Sequence, residues 1–211
     1  MVNPISTKIV GAGLGSDPSC ERYKSLERKG FTFVEAGPMQ DKIRNLVKKM
    51  AVNDAKCILA INLSPVSPNL TEEEAIKDVI TRFSLLYDFA DSFTINVDIK
   101  SSDFITNLLD ELLAIRIREE KSKEIYVRLS RHLPDAQVDR IINYCRLSQI
   151  DGIITTDYER IIELTQGRYT VIADIPDATP TAVKEAFAKG CEIVLVTNWR
   201  PRFRFVKNVL K

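Results

Sequence analysis

Short apolar runs rich in β-branched and aromatic residues alternate with longer segments whose apolar positions return every three or four residues. The runs are Lys8–Gly13, Phe31–Ala36, Cys57–Leu63, Ser92–Val97, Glu124–Leu129, Gly152–Thr156, Tyr169–Ala173 and Glu192–Val196. Runs of this kind suit strands buried on both faces. The segments between them carry helix punctuation. Asp17 is expected to cap a first helix with Pro18 at its first position, and Gly30 to end it after the basic pair Arg28-Lys29. Ile43, Leu46, Val47 and Met50 give helical spacing over Gln40–Met50. Thr71 and Glu74 form a capping box that opens a third helix.

Phe104–Glu119, Asp135–Leu147 and Tyr158–Leu164 complete the central helices. Thr179 caps the next one with Pro180 at its first position, Gly190 ends it after Lys189, and Pro201 lies where a last helix begins. Eight strands thus alternate with eight helices, and tandem βα units imply parallel strands covered by helices. The expected fold is α/β, a minimal (β/α)8 TIM barrel without large insertions, residues 1–211 forming a single domain. A doubly wound open sheet is the alternative.

Composition narrows the function more than the fold. A chain of 211 residues is long enough for one well-buried domain and lies near the lower limit of a (β/α)8 barrel, roughly 200 residues. A formal charge of +1 gives no electrostatic reason to expect nucleic acid or a membrane surface as partner. Met1–Lys8 has no signal-peptide character, and no apolar run is long enough to span a bilayer, so a cytoplasmic protein is expected. Cys20, Cys57, Cys145 and Cys191 include no C-x-x-C pair and read as buried free thiols. With His132 the only histidine, no metal site is expected.

Leu164-Thr-Gln-Gly167, the strand after it, the Ala/Lys-rich helix ending at Gly190 and Ile193-Val194-Leu195 resemble the C-terminal part of dihydroorotate dehydrogenases, as does Asp151-Gly-Ile-Ile-Thr-Thr156. The resemblance covers most of the chain. It implies a barrel that binds FMN, with the phosphate held by its C-terminal half. It also implies an oxidoreductase acting on a CH–CH bond, turning dihydroorotate into orotate in pyrimidine biosynthesis. By that resemblance Asn62 and Asn96 contact the flavin or the orotate, Thr156 belongs to the same site, and Thr197 and Asn198 lie at the phosphate loop. Dimers are common in the family, so a homodimer is implied. The family's membrane-associated branch carries an N-terminal extension that is not part of this sequence.

Several positions depart from the family pattern. Pro18 stands where a lysine follows the first strand, and Arg128 replaces the strand-five lysine near the flavin, a change that keeps charge but not shape. Asp157 replaces a substrate-binding asparagine and would repel the carboxylate of dihydroorotate. Ile175-Pro176 replaces the glycine pair whose backbone N–H groups approach the phosphate, and proline has no N–H to offer. Ile99 occupies the place of the family's base, with Ser101 and Ser102 the nearest substitutes.

The expectation is a divergent dihydroorotate-dehydrogenase-like barrel with FMN-dependent oxidation lost or weakened. Its expected ligand is a small anionic or phosphorylated molecule at the C-terminal face. Arg200 and Arg202 open the last helix and, with Asp157, are the candidate ligand residues. The alternatives are a working FMN oxidoreductase, with Arg128 in the lysine's place and Ser101 or Ser102 as base, and a non-catalytic partner subunit. Glu35, Asp98, Asp157 and Asp174 fall at strand ends; they either encircle a cation or amine, or pair with Arg128 inside the rim.

Overall fold

The computed structural model describes residues 8–38, 56–97, 101–198 and 205–210. Within them eight parallel strands close a barrel in sequence order: β1 Ile9–Asp17, β2 Phe33–Ala36, β3 Ile58–Leu63, β4 Ser92–Val97, β5 Glu124–Leu129, β6 Gly152–Thr155, β7 Val171–Ile175 and β8 Ile193–Val196. β8 pairs back onto β1 through Val10↔Val194 and Ala12↔Val196, which completes the ring. Closure excludes the open doubly wound sheet.

Side chains alternate between two cores, as the period of a strand requires. Val34, Ile61, Phe93, Ile125, Ile153 and Val194 face outward into the larger cluster, beneath Leu108, Ile141 and Val183 of the surrounding helices. Phe33, Ala60, Tyr126, Ile154, Ile172 and Leu195 fill the barrel itself. Each fully buried Phe, Leu or Ile contributes about 1.5–3 kcal/mol by leaving water. The interior also depends on missing side chains. A Cβ at Gly11 would stand 2.5 Å from Leu195 Cδ2, and one at Gly152 would stand 2.8 Å from the Thr170 carbonyl oxygen.

The helices start and stop largely where their punctuation predicts. Thr71 and Glu74 cap the helix Glu72–Leu86 reciprocally, and Thr179 accepts the Ala182 N–H with Pro180 in the first turn of the helix Pro180–Lys189. Several boundaries differ. β1 runs on to Asp17, because a bulge after Ala12 returns the chain to β2 at the pair Asp17↔Ala36. The first helix therefore starts at Tyr23, not at Pro18, although the buried Asp17 carboxylate still accepts the N–H groups of Glu21 and Arg22. β7 lies two residues later than Tyr169–Ala173, drawn by its pairing with β8 up to Ile175↔Val196, and β6 ends one residue early at Thr155. Gln40–Met50 and Pro201 lie outside the described residues.

Cys20, Cys57, Cys145 and Cys191 are free and buried. Burial pushes the Cys57 and Cys191 thiols up to about 11 and the Cys145 thiol up to about 12. No helix among the described residues is long and apolar enough to cross a membrane.

Candidate functional site

Glu35, Asn62, Arg128 and Asp174 lie two residues beyond Phe33, Ala60, Tyr126 and Ile172 on their strands. Alternation therefore puts all four on the interior face, one layer nearer the C-terminal mouth. Asn96 joins them through its register with Arg128, and Thr94 through its register with Asn62. The mouth of a (β/α)8 barrel is where strand ends can gather reactive groups.

Arg128 organises this layer. Its Nε donates to Glu35 Oε1 at 3.3 Å and its Nη2 to Glu35 Oε2, so one edge of the guanidinium grips the carboxylate with two bonds. Nη1 donates to Asp174 Oδ2 on the other side. Asn62 Nδ2 adds a hydrogen bond of 2.9 Å to Glu35 Oε1. Burial opposes the positive charge of Arg128, but Glu35 and Asp174 outweigh it and hold the guanidinium protonated above its ordinary value. Formal charges leave this trio one negative charge in excess.

Not every polar atom of the layer is satisfied. Asn62 Oδ1, Thr94 Oγ1, Asp174 Oδ1 and Ser16 Oγ are buried without a hydrogen-bond partner among the described residues. Such atoms are costly unless a water or ligand group meets them. Beside Asp174 the wall is close-packed: a Cβ at Gly13 would lie 3.0 Å from Thr197 Oγ1, 3.3 Å from Leu195 Cβ and 3.5 Å from Asp174 Oδ1, so a side chain there would force its neighbours to give way.

The structure distributes the remaining candidates around the rim. Thr156 and Asp157 are exposed beyond β6, and the Asp157 N–H donates to Thr155 Oγ1 at 3.0 Å. Asp157 sits at the N-cap of the helix Tyr158–Thr165 without a capping bond from its side chain. Ser101 caps the helix Ser102–Arg118, accepting the Phe104 N–H at 3.1 Å and donating to Glu72 Oε1 at 3.0 Å. Its hydroxyl serves the outer helices and not the Arg128 layer. Of Ser102 only the backbone, at the helix start, is described. Asp98, Ile99, Arg200 and Arg202 lie outside the described residues.

The loop that follows β7 is acidic, and it meets the residues that follow β8. The Asn198 N–H donates to the Pro176 carbonyl oxygen at 2.6 Å, and Asn198 Nδ2 donates to Asp177 Oδ1 at 3.3 Å. This ties the two loops together and engages the backbone N–H of Asn198 and one N–H of its side-chain amide. Pro176 has no N–H, and the nearby carboxylates are Asp174 and Asp177. Sequence reasoning missed Thr94, although it was legible as the residue two before Asn96.

No protein-family profile matches the chain. It is 25% identical over 190 residues to dihydroorotate dehydrogenase (quinone) of Idiomarina loihiensis, an alignment covering 70% of this chain and 57% of that protein. The enzyme of the same name from Christiangramia forsetii is 23% identical over 184 residues, covering 70% and 54%. A ligand-free dihydroorotate dehydrogenase from Eimeria tenella superposes with a TM-score of 0.75 at 14% identity, covering 95% of this chain and 80% of that one. The barrel is dihydroorotate-dehydrogenase-like. It is a divergent form, and it spans about half the length of the curated relatives it matches. The structural likeness is one of fold, shared also with the aldolase QR15 at a TM-score of 0.63 and 14% identity, covering 93% of this chain and 92% of that one.

Proposed function

We propose that this dihydroorotate-dehydrogenase-like barrel no longer carries out FMN-dependent oxidation and serves as a small-molecule binding protein. The observation that carries this reading is the Arg128 guanidinium held between Glu35 and Asp174 in the layer below the mouth. A lysine beside a flavin presents one mobile charge to the ring. Here the charge is spent on two protein carboxylates, and the guanidinium fork is fixed.

The phosphate of an FMN fits the residues after β7 and β8 poorly. Phosphate loops offer backbone N–H groups and positive ends of dipoles. This turn offers Pro176, Asp177 and an Asn198 whose N–H is already bonded. Among the described residues, an FMN phosphate would therefore face carboxylates with few backbone donors to offset them. Asn62 still matches a flavin contact, yet its amide nitrogen is engaged by Glu35.

The opposite reading is a working oxidoreductase converting dihydroorotate to orotate, and it needs a base near the β4 end. Ser101 is a poor one: its hydroxyl caps a helix and donates to Glu72, and no histidine adjoins it in sequence. On the reading we favour, the protein works in the cytoplasm. Arg200 and Arg202, which follow β8 in the sequence, hold a small anionic or phosphorylated molecule together with Asp157.

Two observations on purified protein test this. The visible spectrum should lack flavin bands, and a stoichiometric yellow cofactor would overturn the reading. Inorganic phosphate affinity should fall at least tenfold in Arg200→Ala/Arg202→Ala; unchanged affinity would remove the anion site.

A further inference from the structure

We infer that the end of the barrel opposite the mouth is an association surface for a second copy of this chain, centred on Ile117 and Leu147. The inference goes beyond the ligand reading and does not depend on it. Placement, shape and charge carry it.

In a parallel barrel each helix runs back against its strand, so helix C-termini gather at the N-terminal ends of the strands. Four successive α-helices, Glu72–Leu86, Ser102–Arg118, Asp135–Leu147 and Tyr158–Thr165, each carry an exposed aliphatic side chain within their last two residues: Leu85, Ile117, Leu147 and Leu164. Exposed aliphatics scattered singly are ordinary, but a set gathered at one end of a fold marks a contact surface. Ile117 is 82% exposed and Leu147 87%, against 53% for Leu85, so the surface centres on these two.

Ile117 and Leu147 line one open cleft of about 790 Å³, with Leu113 in its wall. Its frame is held firmly. Arg116 Nη1 donates to Asp151 Oδ2 and Nη2 to the Gln149 carbonyl oxygen, both at 2.6 Å. The Tyr87 hydroxyl donates to the Lys121 carbonyl oxygen at 2.9 Å, which ties the end of the helix Glu72–Leu86 to the same region. These polar groups already have protein partners, so the aliphatic side chains are what a partner would cover. One copy offers both projecting side chains and a cleft, which is the self-complementarity a two-fold contact requires.

Charge selects the occupant. Exposed Glu119 and Glu120 line the cleft beside exposed Arg118 and Lys121, and exposed Arg146 adjoins Leu147. A nucleic acid, an anionic lipid surface or a peptide of one sign would meet like charge here. A second copy can set acids against bases in both directions. Contact at this end also leaves both mouths open.

The test is sedimentation of the full chain between about 1 μM and 1 mM, the affinity range of weak complexes. We expect a monomer–dimer equilibrium. Ile117→Gln/Leu147→Gln alters exposed side chains alone, so it should keep the thermal midpoint while weakening the dimer about tenfold or more. Glu119→Lys/Glu120→Lys and Arg118→Glu/Lys121→Glu should each associate less with themselves, and mixing the two should restore the dimer. A chain that stays monomeric throughout would overturn the inference. So would a dimer unchanged in the glutamine variant, or charge variants that mixing fails to rescue. A monomer that sediments with phosphatidylcholine vesicles would also overturn it, giving the surface to lipid instead.

Discussion

Glu35 and Arg128 meet inside the barrel although 93 residues separate them in the chain, with Nε of the arginine 3.3 Å from Oε1 of the glutamate. The contact joins β2 to β5 through the interior, where Glu35 is fully buried. It fixes both the geometry of the mouth and its charge.

Removing the arginine should therefore be severe. Arg128→Ala leaves the Glu35 and Asp174 carboxylates without their counter-charge and is expected to lose about 3–5 kcal/mol in urea unfolding. Arg128→Lys should recover only part of that loss, since an ammonium cannot reproduce the two-bond grip. A Glu35→Gln/Arg128→Met pair should be less damaged than Arg128→Ala, because it leaves one carboxylate, Asp174, without a counter-charge and not two. Equal stability of Arg128→Ala and wild type would show that the contact is not formed.

Gly11 and Gly152 should differ in their tolerance of a methyl group. At Gly152 the added Cβ meets the Thr170 carbonyl oxygen at 2.8 Å, and backbone cannot step aside without disturbing the β6–β7 pairing. At Gly11 the 2.5 Å contact is to Leu195 Cδ2, the far end of a side chain that can turn, although Phe33 stands close by at 3.1 Å. Gly152→Ala is expected to destabilise by about 1–3 kcal/mol or more, and Gly11→Ala by less. The order of their thermal midpoints checks this.

Much of this architecture was legible because the strands are largely buried on both faces and helices such as Glu72–Leu86 and Pro180–Lys189 carry clear capping residues or a closing glycine. The errors share a cause. Asp17 reads as a helix cap, and its carboxylate does bind the following N–H groups, but the pairing of Asp17 with Ala36 keeps the chain in β1 past the expected stop. Tyr169 reads as the start of β7; instead its hydroxyl donates to the Ile150 carbonyl oxygen at 2.6 Å, and the strand begins at Val171. Sheet register overrode local punctuation in both places. At the mouth, a buried arginine announces that it needs carboxylates, so its partners could be foreseen among the strand-end acids. The unmet acceptor of Asn62 could not, because it depends on how Glu35 divides its oxygens between two donors.

Acid should loosen one helix in a defined window. Hydrogen bonds from the Thr71 N–H, and then from its hydroxyl, hold the Glu74 carboxyl below its usual value of 4.5. The folded value lies below the unfolded one, so the stabilisation is complete above about pH 4.5 and disappears as pH falls through the folded value. The difference in thermal midpoint between wild type and Glu74→Gln should therefore shrink steadily below that pH. A constant difference down to strongly acidic pH would contradict the capping role of the charged form.

The barrel mouth as a site closed to flavin is tested most directly by titrating the purified protein with FMN and following the quenching of flavin fluorescence. With Arg128 locked to Glu35 and Asp174, and the loop after β7 presenting Asp177, we expect no saturable quenching. One-to-one quenching that is lost in Arg128→Ala, with that variant still folded, would contradict it.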